Sequence, residues 1–567
     1  MQSIPLKTYA ALFAALFVVY AMGLFVPLMD QDPGHHATIA LHMYLSGDYV
    51  NLIDRGTDYL DKPHLHFWLS ALSYSIFGVN TFAYKFPSLL VTVLGVYATF
   101  GIGRRLYSLQ SGRIAALIFA SAQAQILALN DVRMDALLTS FIAAAIWQLI
   151  DFVYTKRGFN LVFGALFTAA AFCTKGMIGL AMPGVAVFFL LVYQRNWPMF
   201  LTWRWLVFAL LFAVFISPVV YCYYLQFDLH PEKIIRGTSG HSGVKFILWN
   251  QNTERLDGSK WGGGKKDYFF FFHTLLWAFL PWCLLTYDAY FRRAADLVRT
   301  RFRYLRHHEL VLPGLITVIF TLISSSGFQL PHYLNILFPS FSVLIAGVLD
   351  EKTQVKTAYM ARAAGVQYFV VTVCVLLIIV LNVWSFPLTD VWVIALAVLI
   401  LGALAAVFTR KNLLLLEKIL IVSVLSSVFV NVLMNGNFYP KLVRYQAGLT
   451  LAENEQVKQL NQADIYFYNA HSYCFDFYHR YLHADADIHV LRNTLQKKPS
   501  VWVYTSPEMI TELTGAGLQV VQSVLASDYR ITRLTPKFLN PKTRAQTLGS
   551  MVLVELKKDP DYAGDQQ

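Results

Sequence analysis

Fifteen ionisable residues border the long apolar runs of this chain: Asp30, Asp32, His35, His36, Asp58, Asp61, Lys62, His64, His66, Asp131, Arg133, Asp135, Lys175, Arg255 and His332. Ionisable groups at an apolar edge are costly unless they are paired or used. Several carboxylates and a few cations facing one side could close around an anionic group beside a lipid-accessible cavity. Plainer roles compete with that one. Lys62 and Lys175 can snorkel to a membrane interface. Asp32 and Asp135 can cap helices or join simple ion pairs, and Arg133 suits a partner of Asp131 and Asp135 better than a catalyst. The histidines His35, His36, His64, His66, His241 and His332, with nearby Asp, have the donor types to ligate zinc or manganese. HExxH is absent, and imidazoles also bond sugar or phosphate oxygens, so a divalent metal stays an open alternative.

The elements that must position these residues follow from composition. Of 567 residues, 56% are hydrophobic and only 14% charged, with a mean hydropathy of +0.48. A soluble chain carries about 25% charged residues. Uncharged runs such as Leu206–Phe215 and Phe369–Val380 belong to segments that approach the roughly 20 residues needed to cross a bilayer. The composition excludes a disordered, collagen-like or disulfide-stapled chain. We expect an all-α polytopic membrane protein with about thirteen spans, near 8–28, 84–103, 113–129, 136–154, 159–173, 177–193, 204–224, 269–287, 310–326, 332–349, 363–386, 391–408 and 416–434. The run from Tyr9 to Met29 has no small-residue cleavage site and reads as a retained first helix.

Charge orients the spans, because Lys and Arg in short loops stay cytoplasmic. With the N-terminus inside, the inner loops hold Arg104, Arg105 and Arg113; Lys156 and Arg157; Arg195 and Arg204; six arginines within Arg292–Glu309; Lys352, Lys356 and Arg362; and Arg410, Lys411 and Lys418. The outer connections 325–331 and 387–390 carry neither Lys nor Arg. Much of the net charge of +12 thus serves topology and contact with membrane lipids, not nucleic acid. Two long outer loops, 30–83 and 225–268, hold most of the unusual residues. Thr38–Tyr44 reads as a short interfacial helix, Leu65–Phe77 is apolar but too short to span, and Gly237–Gly243 and Gly262–Gly264 favour open loop structure. An odd span count places the C-terminus outside. The spans end near 435, and 436–567 reads as a small extracytoplasmic α/β domain with strands at Ile465–Tyr468, Val501–Tyr504, Gln519–Val524 and Met551–Leu556 and helices at Ser472–Leu482 and Pro507–Thr514.

Three stretches carry a family resemblance: Asp32-Pro-Gly-His-His-Ala-Thr-Ile-Ala-Leu-His-Met43 with Ser46-Gly-Asp48; Tyr59-Leu-Asp-Lys62-Pro63-His-Leu-His-Phe-Trp68 with Phe77-Gly78; and Ser326-Gly-Phe-Gln-Leu-Pro331-His-Tyr333 with Pro339. Weaker echoes are Asp131-Val-Arg-Met-Asp135, Thr174-Lys175-Gly176 with Pro183, Gln251-Asn-Thr-Glu-Arg255 and Leu280-Pro281-Trp282. In these the chain resembles the GT-C glycosyltransferases that use polyprenyl-phosphate sugars, nearest to the bacterial aminoarabinose transferases of lipid A and their protein O-mannosyltransferase relatives. The resemblance covers about residues 8–350 well and the remaining helices by layout. It implies a polyprenyl-phosphate donor used on the non-cytoplasmic face of a bacterial inner membrane, with inversion at the sugar carbon. The family's first-loop Asp and Lys fall on Asp32 and Lys62, its loop Arg on Arg255 and its second Asp on Asp135. Pro33 stands where the family has Glu, His36 where it has Tyr, His64 where it has a second proline, and Gln251 and Asn252 where it has an acidic residue and His.

The chemistry fits this resemblance. Transfer from a lipid phosphate needs a base for the acceptor hydroxyl and cations for the departing phosphate. We expect Asp32 to act as base or to orient the acceptor, and Asp135 to orient acceptor or sugar. Lys62 and Arg255 clamp the phosphate with help from Lys175, while His36, His64, His66, Tyr59, His332 and Tyr333 contact substrate. The donor arrives through the membrane, in keeping with the lack of a nucleotide-binding glycine pattern. The expected partners are that donor, a lipid, protein or glycan acceptor, and membrane lipids, with the chain working as a monomer. The sugar and acceptor stay open. The alternatives are a secondary transporter, which would place polar groups at the bilayer midplane with an inverted repeat; an oligosaccharide polymerase or ligase with a wider cavity; and a membrane-anchored assembly protein using its C-terminal domain.

Overall fold

The computed structural model describes residues 4–258, 266–305, 309–353, 357–410 and 412–559. The Gly262–Gly264 run, Lys356 and Lys411 lie outside the described residues. The molecule is a multi-pass helical membrane protein with a small C-terminal sheet. Every one of the thirteen expected segments is helical, but they are not thirteen equal spans. Among the described residues nine helices are long and apolar enough to cross a membrane, or ten counting a pair bent by 50°. Two more are shorter, Ile178–Gln194 and Val311–Ser324.

The bent pair is α5 (Leu109–Ser121) and α6 (Gln123–Asn130), broken at Ala122. The segment 269–287 departs from expectation. It divides into Phe270–Ala278 and the amphipathic Cys283–Arg299 around Phe279–Trp282, where Pro281 has no N–H to continue the helix. One break serves the other, since Gln123 N–H donates to Leu280 O at 3.0 Å, and a third helix, Thr357–Val380, supplies the buried Gln367 amide to Pro281 O at 2.8 Å. An apolar interior offers no water to take these bonds.

Most of loop 30–83 is ordered secondary structure. After α1 (Leu6–Gly23), α2 spans Asp32–Ser46 and so extends well beyond the expected Thr38–Tyr44. It ends at Gly47, whose φ of 71° is a left-handed cap open to glycine. A short hairpin follows, β1 (Ile53–Asp54) and β2 (Thr57–Asp58), turning through Arg55 and Gly56 at φ 48° and 76°. Next comes α3, Leu65–Phe77. The spans α4 (Thr81–Leu106), α7 (Asp135–Thr155) and α8 (Gly158–Lys175) then carry the chain through the core.

The C-terminal sheet contains β3 (Ile465–Phe467), β4 (Ala484–Asp485), β5 (Val501–Thr505), β6 (Leu518–Asp528) and β7 (Gly549–Lys558) in the order β4-β3-β5-β7-β6. β3 runs parallel to β4 and β5, and the β7 pairs are antiparallel. Segments flanking this sheet dock on the start of the first loop. Tyr478 accepts the Leu28 N–H at 2.8 Å, Gln446 accepts the Asp30 N–H at 2.5 Å, and Ser472 bonds the Asp30 carboxylate.

Candidate active site

The charged side chains sit where helix ends meet. Asp32 is the first residue of α2 and Asp135 the first of α7, the ends where the helix dipole favours a carboxylate. Lys175 is the last residue of α8, where a cation is favoured, and Gly176 at φ 76° turns the chain away. Pro33 fits the first turn of α2 because its missing N–H would have no partner there. Tyr59 and Lys62 follow the β1–β2 hairpin, Arg255 lies on the short helix Gln251–Asp257, and His332 and Tyr333 lie on the turn Pro331–Leu337.

Folding brings these parts around one cavity of about 210 Å³. Asp32, His36, Tyr59, Lys62, Asp135, Lys175, Arg255, His332 and Tyr333 line it, with His35, Asp61, Arg133, Met134, Phe328 and Leu330. Two expected residues are elsewhere. His64 is fully buried and donates to Val50 O at 2.8 Å while packing on Trp68 and Tyr223. His66 meets the Tyr84 hydroxyl at 3.2 Å. Burial lowers each to about 4, so both are neutral packing groups at pH 7.

The charges inside the cavity differ in how firmly they are held. Arg133 bridges two carboxylates, 2.8 Å from Asp32 and 2.9 Å from Asp131. Lys175 contacts Asp135 at 2.6 Å and lies 4.9 Å above the Tyr333 ring. His332 stands 3.9 Å from the other Asp135 oxygen. Among the described residues the Lys62 ammonium has neither hydrogen bond nor ion pair. Burial, then the Arg255 and Lys175 charges, hold its pKa well below the usual lysine value despite Asp135 and Asp32. Such a cation gains by taking an anion. His36 is likewise kept neutral, by burial first and by His35, His66, Lys62 and Arg133 after it.

Two contacts had little sequence signal. His35 meets Asp54 at 2.9 Å and stacks on Tyr473 of the C-terminal domain with ring centres 4.7 Å apart. The turn residues Arg55-Gly56 were the available hint of a hairpin that returns Asp54 to α2. The second is Arg236, which pairs with Asp61 and, at 2.9 Å, with Glu254. With the Gln251 amide donating to Asp61 O at 2.7 Å, it fastens the second outer loop to the residue before Lys62.

An apolar cavity opens on each side of the polar one. The first, about 400 Å³, is lined by Leu138, Met177, Ile178, Leu180, Ala181, Leu322, Ile323 and Ile336, and it meets the site at Asp135, Lys175, Arg255 and Tyr333. The second, about 480 Å³, is lined by Met29, Ala124, Leu127, Ala128, Trp277, Met434, Phe438 and Leu442, with Ile531 and Leu534 from the C-terminal domain; it meets the site at Asp131, Arg133, Asp135 and His332. Among the described residues no group of three or more His, Cys, Asp or Glu side chains is placed to hold a metal ion.

Residues 61–222 match the family model described as dolichyl-phosphate-mannose-protein mannosyltransferase, a stretch containing Lys62, Asp135 and Lys175. The undecaprenyl phosphate-alpha-4-amino-4-deoxy-L-arabinose arabinosyl transferase of Edwardsiella ictaluri is 26% identical over 353 residues, covering 61% of this chain and 59% of that protein. The protein of the same name from Pseudomonas aeruginosa is 22% identical over 368 residues, covering 62% of each. The sequence match thus spans about three fifths of these relatives' length. Among solved structures, ArnT from Cupriavidus metallidurans bound to undecaprenyl phosphate superposes with a TM-score of 0.71 at 16% identity, covering 96% of this chain and 97% of that one. The fold is the GT-C type of the polytopic membrane glycosyltransferases, and the sequence is similar to the aminoarabinose transferases.

Proposed function

We propose that this chain is an inverting glycosyltransferase that moves a sugar from a polyprenyl phosphate to a hydroxyl of a lipid-anchored acceptor. The observation that carries the reading is the 210 Å³ cavity in which Lys62, Lys175 and Arg255 face Asp32 and Asp135 between two apolar cavities. The cavity at Lys175 and Arg255 suits the donor, because its apolar walls accept a prenyl chain and its cations meet the phosphate. The cavity at Asp131 and Arg133 suits the acyl chains of an acceptor, a better match to a lipid than to a protein.

In the reaction the acceptor oxygen attacks the anomeric carbon from the face opposite the phosphate, and its proton passes to Asp32. The bond from the anomeric carbon to the phosphate oxygen breaks, and polyprenyl phosphate leaves with both electrons. Arg133 orients Asp32 and Asp135 orients Lys175. Lys62, without a partner among the described residues, is the cation most able to gain as charge builds on the leaving oxygen. The enzyme works in a bacterial inner membrane as a monomer, with its N-terminus cytoplasmic and the site and C-terminal domain on the other side.

Purified protein in detergent, given labelled sugar on polyprenyl phosphate with lipid extract and cell protein as acceptor pools, tests the reading. Label should enter the lipid pool, with loss of transfer in Asp32→Asn and Lys62→Ala of unchanged thermal stability. Transfer to neither pool by the unaltered protein overturns it.

A further inference from the structure

The C-terminal sheet holds a recess that the transfer step does not use. From β3 the chain goes to β4 on one side and then crosses to β5 on the other. The connecting helices lie on opposite faces: Phe475 packs with Phe467 and Tyr504, whereas Leu491 and Leu495 pack with Val501 and Val503. In open α/β sheets such a reversal leaves a crevice beyond the carboxyl ends of the strands, the usual place for a ligand. Here it is a groove of about 690 Å³ between the ends of β3 and β4, with Arg55 of the β1–β2 hairpin in its wall.

Carboxylates outnumber cations in the lining: Asp485, Asp487 and Glu512 stand against Arg55, beside His471 and His489. Each carboxylate is already oriented by one contact. Asp485 pairs with Arg55, Asp487 accepts the Val490 N–H at 2.8 Å, and Glu512 bonds the Tyr468 hydroxyl. A carboxylate has about four lone-pair positions, so each retains acceptor capacity. Fixed acceptors beside imidazoles suit a ligand with many hydroxyls, and the negative excess turns away phosphate. One layer of side chains separates the groove from the reaction cavity. Asp54, next to Arg55, bonds His35, and Tyr473 stacks on His35 while meeting His471 of the groove at 5.0 Å.

We propose that this groove is an acceptor subsite that binds a neutral or amino sugar of the acceptor's glycan while the hydroxyl to be modified lies beside Asp32. This rests on the transferase reading and adds a glycan-bearing acceptor to it. Binding is tested on the full chain in detergent without donor, by saturation-transfer NMR with glucosamine disaccharide, chitobiose and inorganic phosphate as probes. Asp487→Asn with Glu512→Gln is the informative variant, since Asn caps the following helix about as well as Asp. A saccharide should bind and phosphate should not, with affinity falling about tenfold in the variant, the size expected for hydrogen bonds to charged groups, and staying unchanged in Asp32→Asn. No saccharide binding, equal binding by the double variant, or loss in Asp32→Asn instead would overturn the groove assignment. None of these results depends on whether sugar transfer occurs, so failure of the transferase reading is seen separately in the labelled-donor assay.

Discussion

The two apolar cavities share Asp135 and little else. On one side the apolar wall runs up to Lys175, Arg255 and Tyr333. On the other it runs up to Asp131, Arg133 and His332, and the C-terminal domain supplies its lip through Ile531 and Leu534. Similar grease therefore ends in opposite chemistry, a cationic wall against one where an arginine is already taken by two carboxylates. A wall of that first kind holds an anion, and one of the second kind receives a proton. On the proposed reading this difference gives the reaction its direction, with the donor entering from the lysine side and the acceptor from the Arg133 side.

The largest effect should come from Asp32→Asn, which keeps the shape but removes the proton acceptor. We expect kcat to fall by about 10²–10⁴, with undecaprenyl phosphate affinity unchanged by calorimetry. A comparable loss in donor affinity would erase the distinction between the two sides. Lys62→Ala comes next. Losing one charge-assisted contact should weaken undecaprenyl phosphate binding by about 10–100-fold. Folding should be little affected, because among the described residues no carboxylate loses a partner. Filling the cavities separates them further. Ala181→Leu should raise the donor KM and Ala128→Leu the acceptor KM, each about tenfold; a swapped pattern would reverse the assignment.

Much of this was legible in the sequence, for a physical reason. Charges at the edge of apolar runs, such as Lys62, Asp135 and Lys175, have few roles open to them, and the cavity collects all three. Short runs of β-branched and aromatic residues marked the C-terminal strands, and β5 is apolar throughout because it is buried on both faces. What escaped was sidedness and long-range pairing. His64 and His66 are as polar and as near Lys62 as any cavity residue, but α3 begins at Leu65 and turns them into the packing. Arg236 reaches Asp61 across 175 residues, which no local spacing encodes. Pro281 was visible, yet an apolar run reads as continuous until one asks which carbonyls lose their donors.

The phosphate wall also has a proton signature. Burial and neighbouring cations depress Lys62 in the empty cavity, and a bound phosphate raises it again. Binding of undecaprenyl phosphate should therefore take up protons at any pH between the lowered pKa of the free site and the higher one of the phosphate-bound lysine, and affinity should decline as pH rises above the former. Calorimetry in two buffers of different ionisation enthalpy reads this directly. Identical heats would mean that Lys62 stays charged throughout and that the clamp lies with Arg255 and Lys175.

A residue belonging to neither cavity sets the floor. His66 is 1% exposed and lies against Tyr84, and burial holds it near 4, from 6.5 in a free chain. Between those values the unfolded chain binds the proton and the folded one does not. Stability is thus complete above pH 6.5 and is lost as pH falls toward 4, by up to about 3 kcal/mol for this group. His66→Phe keeps the ring in place, and Tyr84 still donates to Val132 O at 3.0 Å. The variant should transfer sugar at nearly the normal rate while its melting temperature falls less steeply with acid. If transfer fell as far as in Lys62→Ala, His66 would have to act on the substrate, and the wall of the cavity would extend into α3.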